Sequence, residues 1–324
     1  MLERMRAIEW AQRHQVALYL LAIVAGLGFG VAVPGASPAL EASITPVLAL
    51  LLWVTFLGVP FARVGAALRD GRFVAVVLTL NFVVVPAVVW LLSRFVAHDA
   101  ALLVGVLLVL LTPCIDYVIV FAGLAGGARE RLLAATPLLM IVQLVLLPLY
   151  LGVMAGPDVR AAFDVRPFVE AFLFLIVLPM AAAGVTQLFA SRTRAGARAW
   201  SVLDAAMVPL MVATLAIVVA SQAAVVLGAG ATLLRAVIVF VSFAVVMVAV
   251  GAVAGRVAGL DVPARRAVIF SGVTRNSLVV LPLALALPAP FALTPVVVVT
   301  QTLVELVVMV CLVALVPKVV PTRP

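Results

Sequence analysis

The chain has 324 residues and a formal net charge of +8; 67% of its residues are hydrophobic and only 10% are charged. A soluble domain needs about a quarter of its residues charged, so this composition excludes a soluble protein. Two cysteines and two histidines are too few for a disulfide framework or a histidine-rich metal site. We therefore expect an all-α membrane protein that holds no metal and no cofactor.

Long apolar windows of about 20 residues predict ten transmembrane helices. In chain order they cover residues 16–33, 44–62, 73–93, 101–124, 132–154, 167–190, 203–222, 234–255, 264–287 and 293–317. The connecting loops are short, so no soluble domain is inserted. A cleavable signal peptide is the alternative for the first window, because Arg13 precedes it and PGASPA follows it. That run is long for a signal core.

The cations of the predicted loops set the orientation of the chain. The N-terminal side carries 16 of the 21 Lys and Arg residues, and the opposite side carries Arg94, Arg160, Arg166 and Arg235. One cation, Arg275, lies inside a span. The positive-inside rule then places both termini in the cytoplasm of a multi-pass plasma (inner) membrane protein. The basic loops mark topology, so we expect contact with the lipid bilayer and none with nucleic acid.

The sequence contains an internal repeat. TPLLMIVQ (Thr136–Gln143) and TPVVVVTQ (Thr294–Gln301) place Thr-Pro and Gln at the same spacing, 158 residues apart. The same offset lays TPCIDY (112–117) over FSGVTR (270–275). Each of these two stretches is a polar interruption of a long apolar span, and each lies in the fourth span of its half.

Each half contains five spans, an odd number, so the second half enters the membrane in the opposite sense. We therefore predict two inverted five-helix repeats, residues 1–157 and 158–324. Discontinuous helices at matching positions of two repeats are typical of the central site of a transporter. Helices four and nine are accordingly predicted to be discontinuous and to cross at mid-membrane. The oligomeric state stays open.

The first interruption lies in span four. Thr112 followed by Pro113 predicts the N-cap and the first-turn proline of a new half-helix. Cys114 and Asp116 then fall in its first turn, near the positive end of the helix dipole. That position favours a thiolate and a carboxylate, so both residues are candidates for substrate binding.

The second interruption lies in span nine. Ser271 and Gly272 are expected to supply a cap and a flexible joint, and the polar residues Arg275 and Asn276 follow. A charge at the bilayer centre costs about 2.5–3.5 kcal/mol on insertion scales. The offset of 158 brings Arg275 within one position of Asp116, so we predict that they pair or share a substrate. The alternative is a structural ion pair that locks the two halves together.

Further polar residues lie in the apolar spans. Gln301 and Glu305 are four residues apart and share a face of span ten, Gln143 is the repeat mate of Gln301, and Asn81 lies in span three. Together with Asp116, they are candidates to bind a coupling ion or to carry a proton. The alternative for the amides is hydrogen bonding between helices.

The chain resembles the bile acid:sodium symporter superfamily and, within it, the arsenical-resistance permeases. The resemblance rests on ten spans in two inverted fives, on LLTPCIDYVIVFAGLAGG (110–127) and on SGVTRNSLVVLPLALALP (271–288). It implies a core domain of helices 3–5 and 8–10 and a panel domain of helices 1–2 and 6–7. It also implies transport at the crossing of helices four and nine by alternating access.

The resemblance implies a set of site residues, but some of the family's residues are replaced in this chain. Cys114 matches the cysteine of arsenite permeases, and a thiolate is a suitable soft ligand for arsenic. Leu278 stands where those permeases have a glutamate, and Arg275-Asn276 replaces the Gln-Asn pair of sodium-coupled relatives. An arginine there should repel sodium, so H⁺ becomes the more favoured coupling ion, carried by Asp116 or Glu305.

These observations predict a secondary transporter and no enzyme, because no catalytic constellation is present. The first interpretation is extrusion of arsenite or a related metalloid by proton-coupled exchange. The alternative is ion-coupled uptake of an organic anion, a carboxylate or sulfonate held by Arg275 and a half-helix N-terminus. The substrate-binding residues are predicted to be Cys114, Thr112, Asp116, Arg275 and Asn276. The substitution Cys114→Ser should abolish metalloid resistance only, whereas Arg275→Gln should abolish anion uptake only.

Overall fold

The computed structural model of the chain describes residues 10, 14–58, 70–115, 117–156, 170, 173–221 and 223–321. These residues are almost entirely helical. The α-helices are α1 (Gln15–Ala32), α2 (Ser37–Leu57), α3 (Gly71–Thr79), α4 (Val85–Ser93), α5 (Ala100–Leu110), α6 (Tyr117–Leu124), α7 (Arg129–Met154), α8 (Leu178–Arg192), α9 (Arg194–Ser221), α10 (Ala223–Gly228), α11 (Gly230–Val257), α12 (Val262–Val273), α13 (Ser277–Leu285) and α14 (Thr294–Val319). Single π-helical turns cover Leu80–Val84 and Leu173–Val177.

Five helical stretches among the described residues are long and apolar enough to cross a bilayer. They are Pro34–Leu57, Gly71–Val96, Arg129–Met154, Gly230–Val257 and Ala289–Val319, and they overlap predicted spans two, three, five, eight and ten. Shorter apolar helices occur in spans one, four and seven. The chain is therefore a multi-pass membrane protein. Several of the loop cations that set the predicted orientation lie outside the described residues: Arg4, Arg6, Arg13, Arg63, Arg69, Arg160, Arg166 and Arg323.

The chain divides into two compact units, each built from two separate stretches of sequence. The first unit comprises Met1–Gly58 and Val165–Gly230, and its helices are α1, α2 and α8 to α10. The second unit comprises Val59–Asp164 and Ala231–Pro324, and its helices are α3 to α7 and α11 to α14. All the described candidate site residues lie in the second unit.

In the first unit, two glycines let α1 pack closely against α9. A Cβ atom on Gly26 would lie 2.5 Å from the carbonyl oxygen of Ala216, and one on Gly30 would lie 2.2 Å from that of Ala220. Small residues that allow close backbone approach are typical of helix packing in membranes. Both glycines belong to the stretch GLGFG (26–30), which therefore forms part of a helix-packing face.

In the second unit, aspartates fix where two helices begin. Asp99 Oδ1 accepts a hydrogen bond from Leu102 N at 3.0 Å at the start of α5, and Asp261 Oδ1 accepts one from Ala264 N at 3.1 Å at the start of α12. Both are N-caps that satisfy a free backbone N–H group. Gly105 then lets α5 lie against Val297 of α14, because a Cβ atom there would be only 2.8 Å from the valine Cβ.

Candidate functional site

Both predicted interruptions are present, but neither helix restarts where the sequence indicated. In span four α5 ends at Leu110, residues 114 and 115 have no regular secondary structure, and α6 begins at Tyr117. Thr112 is not an N-cap; its Oγ1 donates backwards to Leu108 O at 2.8 Å. Pro113 is not in the first turn of a helix, because it forms an isolated antiparallel bridge. Cys114 therefore precedes the half-helix instead of lying in its first turn.

The two non-helical segments are joined by reciprocal backbone hydrogen bonds. Cys114 N donates to Thr274 O at 3.2 Å, and Asn276 N donates to Thr112 O at 2.8 Å, on either side of the Pro113–Arg275 bridge. The two bonds are equivalent when Thr112, Pro113 and Cys114 are matched with Thr274, Arg275 and Asn276, which is an offset of 162. The alignment of TPCIDY with FSGVTR at an offset of 158 is therefore wrong at the break, although Thr136 and Thr294 do keep that spacing.

The second interruption lies later in the chain than predicted. Ser271 and Gly272 are still within α12, which ends at Val273, and α13 begins at Ser277. Asn276 is the N-cap of α13, since its Oδ1 accepts from Val279 N at 3.2 Å. Gly272 is not a joint between half-helices; it makes room for a neighbouring side chain, because a Cβ atom there would lie 2.8 Å from Leu80 Cδ2.

Arg275 is fully buried beside the crossing and donates to oxygens of three different helical segments. Nη2 lies 2.9 Å from Asn81 Oδ1 and 2.7 Å from the carbonyl oxygens of Ser271 and Gly272. Nη1 lies 3.3 Å from Leu110 O, the last carbonyl of α5. These bonds compensate for the loss of water around a buried guanidinium.

An aromatic ring lies on the other side of this guanidinium. Arg275 Cζ is 5.4 Å from the centroid of Phe243 on α11, within the range of a cation–π contact. Phe243 carried no signal in the sequence, because an aromatic residue in an apolar span is indistinguishable from a packing residue. The same holds for the backbone carbonyls that accept from Arg275.

Glu305 is buried on α14 and accepts hydrogen bonds from the backbone and from a side chain. Its Oε2 accepts from Arg275 N at 2.8 Å and from Gln301 Nε2. The predicted shared face of Gln301 and Glu305 is thus occupied by a direct contact. Both side chains line a small pocket together with Leu110 and Phe243, among others, and its volume is about 10 Å³. That is room for about one water molecule.

Asn81 connects this group to α12 from the π-helical turn of span three. Its Nδ2 donates to Ser271 Oγ at 2.9 Å and to Val77 O at 3.0 Å, while its Oδ1 accepts from Arg275. Asn81 therefore belongs to the site. Gln143 is buried on α7, and the described hydrogen bonds do not join it to these groups.

The buried polar atoms near the crossing include a donor and an acceptor that have no hydrogen-bond partner among the described residues. They are Asn276 Nδ2, a donor, and Gln301 Oε1, an acceptor. The Oδ1 of Asn276 is engaged by Val279, so its amino group points away from the cap bond. Cys114 is also buried here. Asp116, and with it the predicted pairing with Arg275, lies outside the described residues.

The sequence missed a second polar contact beside the site. Ser277 Oγ and Thr302 Oγ1 lie 2.6 Å apart, joining the first turn of α13 to α14. Both side chains are buried. The described residues contain no cluster of three or more His, Cys, Asp or Glu side chains that could hold a metal ion. Among the described residues, the site offers hydrogen-bonding groups, the guanidinium of Arg275, the carboxyl group of Glu305 and the thiol of Cys114.

Interrupted helices that exchange backbone hydrogen bonds around buried polar groups are features of a membrane transporter. The sequence model of the Sodium Bile acid symporter family matches residues 45–229, more than half of the chain. The chain belongs to this family, whose members are transporters rather than enzymes. A search of the curated proteins finds no match.

Proposed function

We propose that this protein is a secondary transporter that takes up a small organic anion, a carboxylate or a sulfonate, by alternating access. The single observation that carries the proposal is Asn276 Nδ2, which is buried at the N-terminus of α13 beside the crossing and has no hydrogen-bond partner among the described residues. A buried donor without a partner is costly, and an anionic oxygen would satisfy it. The positive end of α13 favours the same charge.

The proposed architecture is two inverted five-helix repeats, with helices 3–5 and 8–10 as the core domain and helices 1–2 and 6–7 as the panel. Two observations support it. The compact units group the helices in this way. The N-caps Asp99 and Asp261 are 162 residues apart, the same separation as the residues that correspond across the crossing. Helices four and nine would then cross at mid-membrane. The protein would lie in the plasma (inner) membrane with both termini in the cytoplasm.

The role of Arg275 in this proposal differs from the one expected from sequence. Both of its Nη atoms donate to oxygens of the protein, so the guanidinium is engaged with carbonyl groups rather than extended towards a solute. We therefore assign recognition of the anion to Asn276 and the half-helix N-termini. Thr112 shapes the crossing through its backbone carbonyl, which accepts from Asn276 N.

The test is uptake into proteoliposomes of a panel of labelled carboxylates and sulfonates, bile acids included. Asn276→Ser should keep the N-cap but lose the amino donor, so we expect at least a tenfold loss of uptake, about 1.4 kcal/mol. Cys114→Ala is the matched control, because Cys114 corresponds to Asn276 across the crossing, and it should retain uptake within about twofold. No uptake of any anion, or equal effects of the two variants, would contradict the proposal.

We further propose that the coupling ion is H⁺, carried by Glu305 with Gln301, or by Asp116. Support comes from the buried carboxyl group of Glu305, from Gln301 Oε1, which has no hydrogen-bond partner in the described part of the chain, and from the adjacent space for one water molecule. In proteoliposomes, Glu305→Gln should abolish the dependence of uptake on an imposed pH gradient while solute exchange continues. Uptake that still follows the pH gradient would remove Glu305 from this role.

A second candidate function is extrusion of arsenite, and one observation favours it. Cys114 is buried at the crossing, where its peptide N–H is bonded to Thr274 O. One thiolate offers the soft contact that trivalent arsenic prefers. A host without its own arsenite exporters should gain arsenite tolerance from the wild type and lose it with Cys114→Ser. A well-expressed wild type that confers no tolerance would exclude this function.

A further inference from the structure

We propose that the guanidinium of Arg275 is a built-in cation that occupies a cradle otherwise suited to a dissociable monovalent cation, so that this chain works without sodium. The inference concerns the coupling of the proposed transport site and in that respect rests on the proposed function. Its structural part, a cation cradle filled by a side chain, stands by itself and is tested without any substrate.

The cradle consists of oxygen atoms that converge on the guanidinium. Leu110 O belongs to the last residue of α5, and Ser271 O and Gly272 O belong to the last turn of α12. Helix C-termini carry partial negative charge, so two negative helix ends meet here. Asn81 Oδ1 completes the set at 2.9 Å. Carbonyl oxygens at the ends of broken helices are the ligands that membrane transporters offer to coupling cations.

The geometry of Arg275 fits the role of a tethered ion. Its backbone makes the bridge to Pro113 and donates to Glu305, while its side chain folds back onto the carbonyl groups three and four residues earlier. The positive charge in the cradle therefore belongs to the protein itself, and no ion has to bind from solution. A cation that is covalently attached cannot leave when the protein opens to the other side of the membrane. It supplies the charge of a bound ion but cannot follow an ion gradient.

Truncation of the Arg275 side chain distinguishes two roles: a substitute for a bound cation, and a side chain that only satisfies the carbonyl groups of two helix ends. Arg275→Ala retains the backbone bonds of residue 275 and removes only the guanidinium, so the four oxygens are left without a cation. Uncompensated buried acceptors are destabilising. If the oxygens form a cation cradle, sodium will enter and restore stability. If they are merely the ends of two helices, sodium will have no more effect than another monovalent salt.

The experiment measures the thermal unfolding midpoint of the purified full-length protein in detergent, with sodium chloride exchanged for choline chloride at constant ionic strength. The wild type should show equal midpoints in the two salts. Arg275→Ala should unfold at a lower temperature in choline and recover in sodium. A site half-saturated at about 10 mM would raise the midpoint by about 3 °C at 100 mM sodium.

Arg266 provides the matched control. It is also buried, and it also donates to backbone carbonyls: Nε and Nη2 to Val320 O at 3.0 and 2.9 Å, and Nη1 to Ala125 O at 3.0 Å. It has no hydrogen bond to the carboxamide of Asn81 and no place at the crossing. Arg266→Ala should lower the unfolding midpoint equally in sodium and in choline.

Three results would overturn the inference. One is a sodium-specific, saturable stabilisation of the wild type. Another is an equal response to sodium by Arg275→Ala and Arg266→Ala. The third is failure of both Arg275→Ala and the bulkier Arg275→Met to fold when sodium is present throughout purification. None of these results depends on solute uptake, so a failure of the proposed anion transport is recognised separately in the proteoliposome assay.

Discussion

The two interruptions of the second unit share a backbone scheme but differ in side-chain chemistry. In each, a threonine ends the first half-helix by donating to the carbonyl group four residues earlier, at 2.8 Å for Thr112 and 2.7 Å for Thr274. In each, the threonine carbonyl group accepts a backbone hydrogen bond from the other segment, and the N–H group two residues later donates one to it. The corresponding side chains, however, are Pro113 and Arg275 at the bridge.

Among the described residues, the two interruptions therefore share a pattern of backbone hydrogen bonds but present different functional groups. The first interruption contributes the thiol of Cys114, while the second contributes the guanidinium of Arg275 and the carboxamide of Asn276. The guanidinium nevertheless bonds to the ends of both first half-helices, through Leu110 O and Ser271 O. One side chain therefore serves both interruptions, and its loss should affect them together.

The largest predicted difference in the free energy of unfolding is between substitutions of the two bridge residues, Arg275 and Pro113. Arg275→Ala removes one partner of a buried, charged network and should lower the free energy of unfolding by about 3–5 kcal/mol in the absence of sodium. Pro113→Ala adds one backbone N–H group and some freedom to the unfolded chain, and should lower it by about 1–2 kcal/mol. Chemical denaturation in mixed micelles measures both values, and equal losses would contradict the asymmetry.

An intermediate effect should distinguish the two side chains that flank the guanidinium. Asn81→Leu removes its bond to Arg275 and leaves Ser271 Oγ without its donor, so we expect a loss of about 2–3 kcal/mol. Phe243→Leu keeps the packing apolar and removes the cation–π contact, and should lose about 1 kcal/mol. The same denaturation assay applies. A larger loss for Phe243→Leu than for Asn81→Leu would show that hydrogen bonding is not the main support of Arg275.

The smallest effect should test the symmetry itself. Thr112→Val and Thr274→Val each remove one hydroxyl that bonds to a buried carbonyl group, so each should cost about 1 kcal/mol. The two losses should agree to within about 0.5 kcal/mol, because the two bonds have the same geometry and burial. A clearly larger loss at one of the two positions would show that the interruptions are supported differently.

Much of this arrangement follows from the sequence, and the parts that do not have identifiable reasons. The apolar spans and their two interruptions were predictable because charged residues are rare inside membrane spans, and each interruption contains one. The direction of the Thr112 hydroxyl was not, since a threonine can cap the following helix or bond back to the preceding one. The misplaced register arose because the two Thr-Pro pairs lie at different places in their helices: Thr294 is the first residue of α14, whereas Thr136 lies well inside α7.

The partners of the polar side chains were predictable only in part. Gln301 and Glu305 had to share a face because they are four residues apart on one helix. Arg275 was expected to meet a carboxylate or a substrate, and its described Nη partners are three backbone carbonyl groups and one amide. Every residue has a backbone carbonyl group, so the sequence does not show which of them will accept a hydrogen bond from Arg275.

The π-helical turn at Leu80–Val84 has a consequence for how this chain is compared with its relatives. Such a turn contains one residue more than an α-helical turn would, and Tyr150 donates its hydroxyl hydrogen bond to Phe82 O within it. Removal of a single codon there would restore a regular α-helix and rotate Asn81 by about 100° relative to α4. Relatives that lack the extra residue would then align with a one-residue gap. Their asparagine, though identical in the alignment, would point elsewhere.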